Sequence, residues 1–149
     1  MNRLTKIMTV LSVMILTLAM ITCFTACGAA DEPVQEIENP ITVTICVEYP
    51  DEAAMENVEG SIVIEEGGNV EDASFAYFKE NDIIYAQENN SGYTYVNNIG
   101  GVSEGDFGGM TGWIFEKNGE MVMESSNICL VEDGDVITWK FVNYNDVTM

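Results

Sequence analysis

Trp113-Ile114-Phe115-Glu116-Lys117-Asn118-Gly119-Glu120-Met121-Val122-Met123-Glu124 is the stretch on which the reading of the fold turns. Asn118-Gly119 is the dipeptide a type I′ turn favours, because both central residues need positive φ. Runs with strand character flank it on either side. They predict a two-residue hairpin that sets Lys117 opposite Glu120 and Phe115 opposite Val122.

Downstream, Asp133-Gly134-Asp135 predicts a second turn, leading into a strand over Val136 to Val142. Ile137, Trp139 and Phe141 share one face of that strand, since side chains alternate with period two. Upstream, residues 102–112 (VSEGDFGGMTG) form a glycine-rich loop. Before it come a strand from Tyr93 to Ile99, closed by Gly100-Gly101, and a polar loop from Glu88 to Gly92.

The N-terminal half follows the same logic. Ile41 to Tyr49 alternates cleanly, with Ile41, Val43, Ile45, Val47 and Tyr49 on one face, and Pro50-Asp51-Glu52 ends the run. Ser61 to Glu65 is a shorter strand with Glu66-Gly67-Gly68 as its turn. Asn69 can accept from the amides of a first helical turn. Glu71 and Asp72 sit where the helix dipole favours negative charge. Phe75 and Phe78 share a helix face. The helix ends near Glu80-Asn81-Asp82, and Ile83-Ile84-Tyr85 either continues it or turns into the core. Two strands, one helix and several strands define an α+β fold, with the helix packed on one face of a mixed, small β-grasp-like sheet.

The first 27 residues address the chain to a membrane. Arg3 and Lys6 precede an apolar run from Ile7 to about Ile21, and Phe24-Thr25-Ala26-Cys27-Gly28 closes it. This is the layout of a secretory signal peptide, and its end resembles the lipobox of bacterial lipoproteins. On that reading residues 1–26 are removed and Cys27 carries the lipid. Residues 27–40 then tether the lipid to a domain over 41–145, at the extracellular face of the cell membrane. Phe24 stands where the pattern usually has an aliphatic residue, and Cys23 is a poorer match. A plain secretory signal cut near Ala29 or Ala30 and an uncleaved single-span anchor stay open. The apolar run is slightly short for a span, which wants about 20 residues.

The full chain carries 5 basic and 25 acidic residues, and loss of Arg3 and Lys6 leaves three lysines and a net charge of −22. Such a surface excludes nucleic acid as a partner, because phosphate neutralisation needs clustered Lys and Arg. The acidic clusters Glu65-Glu66, Glu71-Asp72 and Glu132-Asp133-Gly134-Asp135 lack the spacing of an EF-hand loop, so they read first as a solubilising surface, with calcium or a cationic ligand as the minor alternative and no metal-site residues named. The chain has no histidine, which removes Ser-His-Asp and Cys-His catalysis. No carboxylate pair stands out, so the chain reads as non-enzymatic and without a resident cofactor. Cys46 and Cys129 are a candidate disulfide of an exported domain, with two separate buried thiols as the other reading.

The block from Gly108 to Glu120, together with Leu130 to Trp139, resembles the transcobalamin-like C-terminal domain family. The shared pattern is a glycine-rich entry, Gly112-Trp113, the Asn118-Gly119 hairpin, and Asp133-Gly134-Asp135 before a last strand containing Trp139. In the vertebrate cobalamin carriers of that family, the small domain closes over one face of a corrinoid, and a separate helical domain holds the other. The resemblance implies a ligand-facing module, with a corrinoid among its conceivable ligands. It places a candidate site on Phe107, Gly108, Gly109, Met110, Gly112 and Trp113. The competing expectation is a surface module for a protein or glycan partner. In that case Trp113 and Trp139 are core residues and the glycines only turn the chain. An open apolar concavity beside Met110 and Trp113 favours a small ligand, whereas a filled hairpin with a long exposed strand edge favours a protein.

Overall fold

The computed structural model describes residues 37–147, so the expected signal peptide, the lipidation site Cys27 and the tether as far as residue 36 lie outside the described residues. The elements are β1 (Pro40–Glu48), β2 (Val58–Glu65), α1 (Val70–Glu80), β3 (Tyr85–Asn90), β4 (Tyr93–Ile99), β5 (Val102–Ser103), β6 (Thr111–Lys117), β7 (Glu120–Met121) and β8 (Val136–Asn143). They make a five-stranded sheet in the order β2-β1-β8-β6-β7 and a three-stranded sheet in the order β3-β4-β5. The architecture is mixed α+β, as expected, but the sheet structure is larger than a small β-grasp. A second sheet is built from the stretch between helix and hairpin.

The large sheet is centred on a parallel pair. Ile45 of β1 faces Ile137 of β8, β2 flanks β1 antiparallel, and β6 flanks β8 antiparallel with Phe115 opposite Trp139. Parallel strands belong in the sheet interior, where a crossover covers them. Here α1 lies in that crossover. Val43, Ile45 and Val47 of β1, Ile137 of β8, and Val70, Ala73 and Phe78 of α1 are fully buried. The alternation read from Ile41 to Tyr49 is therefore the core face of β1. Trp139 needs a partner for its buried N–H, and its Nε1 donates to Ser74 Oγ of the helix at 2.9 Å.

The helix begins as its sequence predicts. Asn69 accepts from the Asp72 amide at 2.9 Å, and the Asp72 carboxylate accepts from the Asn69 amide at 3.1 Å. This reciprocal capping box satisfies two orphan donors of the first turn. The hairpin also forms in register. Lys117 pairs with Glu120, Asn118 and Gly119 both take positive φ, 55° and 81°, and the Val122 amide donates to the Phe115 carbonyl at 3.4 Å.

Three expectations are corrected. The loop expected from Glu88 to Gly92 is mostly strand, since β3 runs Tyr85–Asn90 and pairs along β4. Its sequence, YAQENN, has no apolar face because β3 is an exposed edge. The glycine-rich loop is shorter than expected: Val102–Ser103 adds to β4, and Thr111 already belongs to β6. The strand expected over Glu120 to Glu124 stops at Met121, because the following residues are tied elsewhere, as described below.

Cys46 and Cys129 are free thiols, not a disulfide. Strand parity separates them. Cys46 alternates with the core-facing Ile45 and Val47 and sits near Glu59 and Thr138, while Cys129 is buried near Lys117. Burial pushes both thiols above their ordinary range.

Candidate functional site

Between β4, β6 and residues 121–128 lies an open groove of about 840 Å³. Tyr93 and Tyr95 of β4 form one wall. Met121, Met123 and Ile128 form the opposite one, and Trp113, Ile114 and Phe115 of β6 run along the floor. Several of these apolar side chains face solvent: Met123 is 75% exposed, Tyr93 58% and Ile128 48%. A methionine and tyrosine lining of this kind is adaptable apolar surface with polar tips. Glu124 is the charged residue among those lining the groove.

Hydrogen bonding holds the groove open. After Val122 the chain leaves β6 and is strapped to two other elements. Ser125 Oγ donates to the Thr94 carbonyl at 2.8 Å and accepts from the Thr94 amide at 2.9 Å. Asn127 Nδ2 donates to the Gly92 carbonyl at 2.8 Å. On the other side, the Val70 amide donates to the Cys129 carbonyl at 2.9 Å, and the Glu71 amide to the Ser126 carbonyl at 3.0 Å. The strap therefore satisfies both the edge of β4 and the helix N-terminus, whose first amides lack intrahelical partners. This diversion shortens β7 and leaves a gap beside β6 where a longer hairpin would have been.

The far end of the groove closes on a pair of tyrosines. Tyr95 and Tyr144 share a hydroxyl–hydroxyl hydrogen bond of 2.9 Å. Burial, then the hydrogen bonds to Tyr144 and Glu104, push the Tyr95 phenol well above its ordinary range. Both hydroxyls crowd Gly112: a Cβ there would stand 3.0 Å from the Tyr95 oxygen and clash with the Tyr144 oxygen. Gly112 is required for this close approach, not for an unusual backbone angle.

The six residues expected at the site are not gathered into one cavity. Trp113 lines the groove and Gly112 lies beneath its tyrosine pair. The Trp113 ring itself belongs to the core: it is 3% exposed, its Nε1 donates to the Val102 carbonyl at 2.9 Å, and it meets Tyr49 and Phe141 edge-on. Phe107, Gly108, Gly109 and Met110 lie on the loop before β6, outside the groove's lining. Phe107 and Met110 are 51% and 63% exposed. That loop is closed by its own bonds, from the Gly105 amide to the Thr111 carbonyl and from Thr111 Oγ1 to the Asp106 carbonyl. Sequence reading missed Tyr93, Tyr95, Met121, Met123 and Ile128. For Tyr93 and Tyr95 the available signal was their alternation with Thr94 and Val96 along β4; Met123 and Ile128 lie outside the strands and carried none. Among the described residues no group of three His, Cys, Asp or Glu is placed to hold a metal ion, and no helix is long and apolar enough to cross a membrane.

The described residues thus form a two-sheet α+β domain with an apolar groove beside the β6–β7 hairpin. The chain belongs to the family described as a domain of unknown function, DUF4430, whose model matches residues 67–143. No curated protein matches the sequence. Among solved structures, haptocorrin in complex with Cbi superposes with a TM-score of 0.60 at 18% identity, covering 72% of this chain and 26% of haptocorrin. The chain thus spans about a quarter of that protein and shares the fold of that part. A protein from Ruminococcus gnavus, provisionally described as metal binding, superposes with a TM-score of 0.48 at 14% identity, covering 69% of this chain and 97% of that one.

Proposed function

We propose that this protein is a non-enzymatic module that binds a small ligand in the groove between β4, β6 and the 121–128 strap. It would be held at the outer face of a bacterial membrane by lipid on Cys27. The observation that carries the reading is the groove itself. Its volume, about 840 Å³, falls within the range of small-molecule sites, and a preformed apolar cleft with a few polar groups is their usual form. A corrinoid is the first ligand to try, because haptocorrin, whose fold this chain shares in part, was solved with Cbi.

Calorimetric titration with cobalamin and cobinamide tests this, alongside Met123→Glu. Met123 is 75% exposed, so the substitution leaves the core intact while putting charge on the groove wall. Saturable binding that drops at least about tenfold in the variant, with an unchanged circular dichroism spectrum, supports the assignment. No binding of either corrinoid removes that ligand class. A second reading, docking of a surface protein, draws on the exposed β3 edge, Tyr85–Asn90. Partner binding lost on Gln87→Pro but kept in Met123→Glu would favour it.

A further inference from the structure

The floor of the groove is a strand edge whose backbone is only partly used. Three consecutive residues, Trp113, Ile114 and Phe115, line it, although the side chains of Trp113 and Phe115 are turned into the core. Side chains alternate across a strand, so consecutive residues reach one groove only through the strand's edge. The direction of each backbone group follows from the bonds at either end. The Asn118 amide donates to Val136 and the Tyr144 amide to Met110, which sets even-numbered residues of β6 toward β8. The Val122 amide donates to Phe115, which sets odd-numbered residues toward β7 and the groove. Along that edge, Thr111 C=O is taken by Gly105 and Phe115 C=O by Val122. On this side β6 pairs with β7 only through Glu116 and Lys117, and no bond runs from the N–H or C=O of Trp113 or the N–H of Phe115 to the strap. The facing edge of β4, by contrast, is satisfied at Thr94 by Ser125. Ser126, also on the groove wall, has a buried hydroxyl with no hydrogen-bond partner.

From this geometry, and resting on the groove being the ligand site, we infer that the ligand carries a carboxamide, seated on the Trp113–Phe115 edge of β6. The edge offers two donors and one acceptor. A carboxamide supplies both an acceptor and a donor in one planar group, while an ester or ether supplies acceptors only, and a carboxylate when ionised does the same. Charge argues in the same direction. Glu124 lines the groove and the chain is strongly acidic, net −20, so an anionic ligand meets repulsion that a neutral amide does not. The free edge is also bounded. It is closed at one end by the hairpin and at the other by the Gly105–Thr111 bond, which leaves about 7 Å, two strand residues. That window suits one or two amide groups on a compact ligand and is too short for a long added strand.

The test uses three probes of one size on the intact protein: 2-naphthamide, methyl 2-naphthoate and 2-naphthoate. Binding is followed by amide and methyl NMR shifts. The expected result is that the amide binds at least about threefold tighter than the ester, the size of one net hydrogen bond, with the carboxylate weakest. The Trp113 and Phe115 amide resonances move downfield with the amide probe and less with the ester, whose carbonyl can accept from an N–H but which has no donor for the Trp113 carbonyl. Equal affinities, with shifts confined to Met121, Met123 and Ile128, would leave the groove as the ligand site and overturn the amide assignment. No groove shifts with any probe at millimolar concentration would overturn both.

Discussion

Asp135 shows how one acidic residue in a chain crowded with them becomes structural. Burial raises its pKa, but hydrogen bonds from Asn118 and Lys117, the Glu132 amide and the Lys117 charge outweigh this and hold it below the ordinary carboxylate value. The ion pair with Lys117 is 2.9 Å long, and Asn118 Nδ2 donates to the same carboxylate at 2.8 Å. Asp135 thus pins the turn before β8 to the hairpin turn after β6. A depressed folded-state pKa contributes stability that is present above the unfolded value and is lost as pH falls through the folded one. Asp135→Asn should therefore be destabilised relative to the parent at neutral pH. That gap should narrow as pH falls below about 4, the ordinary carboxylate range. Urea melts of both proteins between neutral and acidic pH check this. A constant gap would mean the carboxylate's charge is not what matters. The signal for this pairing was present in Asp133-Gly134-Asp135 and Asn118-Gly119, both legible as turns. That the two turns meet depends on β6 and β8 being neighbours, which no local pattern reveals.

At the scale of elements, the strands and helix with a periodic apolar face were legible and the polar ones were not. β1, β4, α1 and β8 each bury one face against the core, so their spacing carries the information. β3 buries neither face, and its strand character comes from pairing with β4 alone. β7 is shortened by competition. Its hairpin favours continuing, but the Ser125 and Asn127 bonds to β4 and the carbonyls offered to the helix N-terminus pull the chain away. The cap at the start of α1 sits beside this strap, because Val70 and Glu71 take their external acceptors from it. Asn69→Ala should cost about 1 kcal/mol, the usual value of an N-cap. It should also loosen the strap, seen as faster amide exchange at Val70 and Glu71. A stability loss without faster exchange there would show the cap and the strap to be independent.

At the scale of the molecule, net charge and attachment are one question. Without Arg3 and Lys6 the chain retains three lysines against 25 acids, so its surface is repelled by anionic headgroups, and attachment would depend on acyl chains. Two chains hold a protein stably on a bilayer and one does so marginally. On the proposed attachment through Cys27, Cys27→Ala should abolish incorporation of labelled palmitate and release the protein from the membrane fraction. Retention of the variant in that fraction would point to the uncleaved anchor instead.

The sequence by itself determined the α+β class, the buried faces of β1 and β8, the capped helix and the Asn118-Gly119 hairpin, since each is encoded within a dozen residues by period, cap or turn chemistry. Only the tertiary structure decided the groove. Its two walls, from β4 and the 121–128 strap, are brought to face each other across β6 by bonds that no local pattern encodes. Its floor is a strand edge left bare because the strap hydrogen-bonds elsewhere, and a backbone group without a partner leaves no mark in the order of side chains.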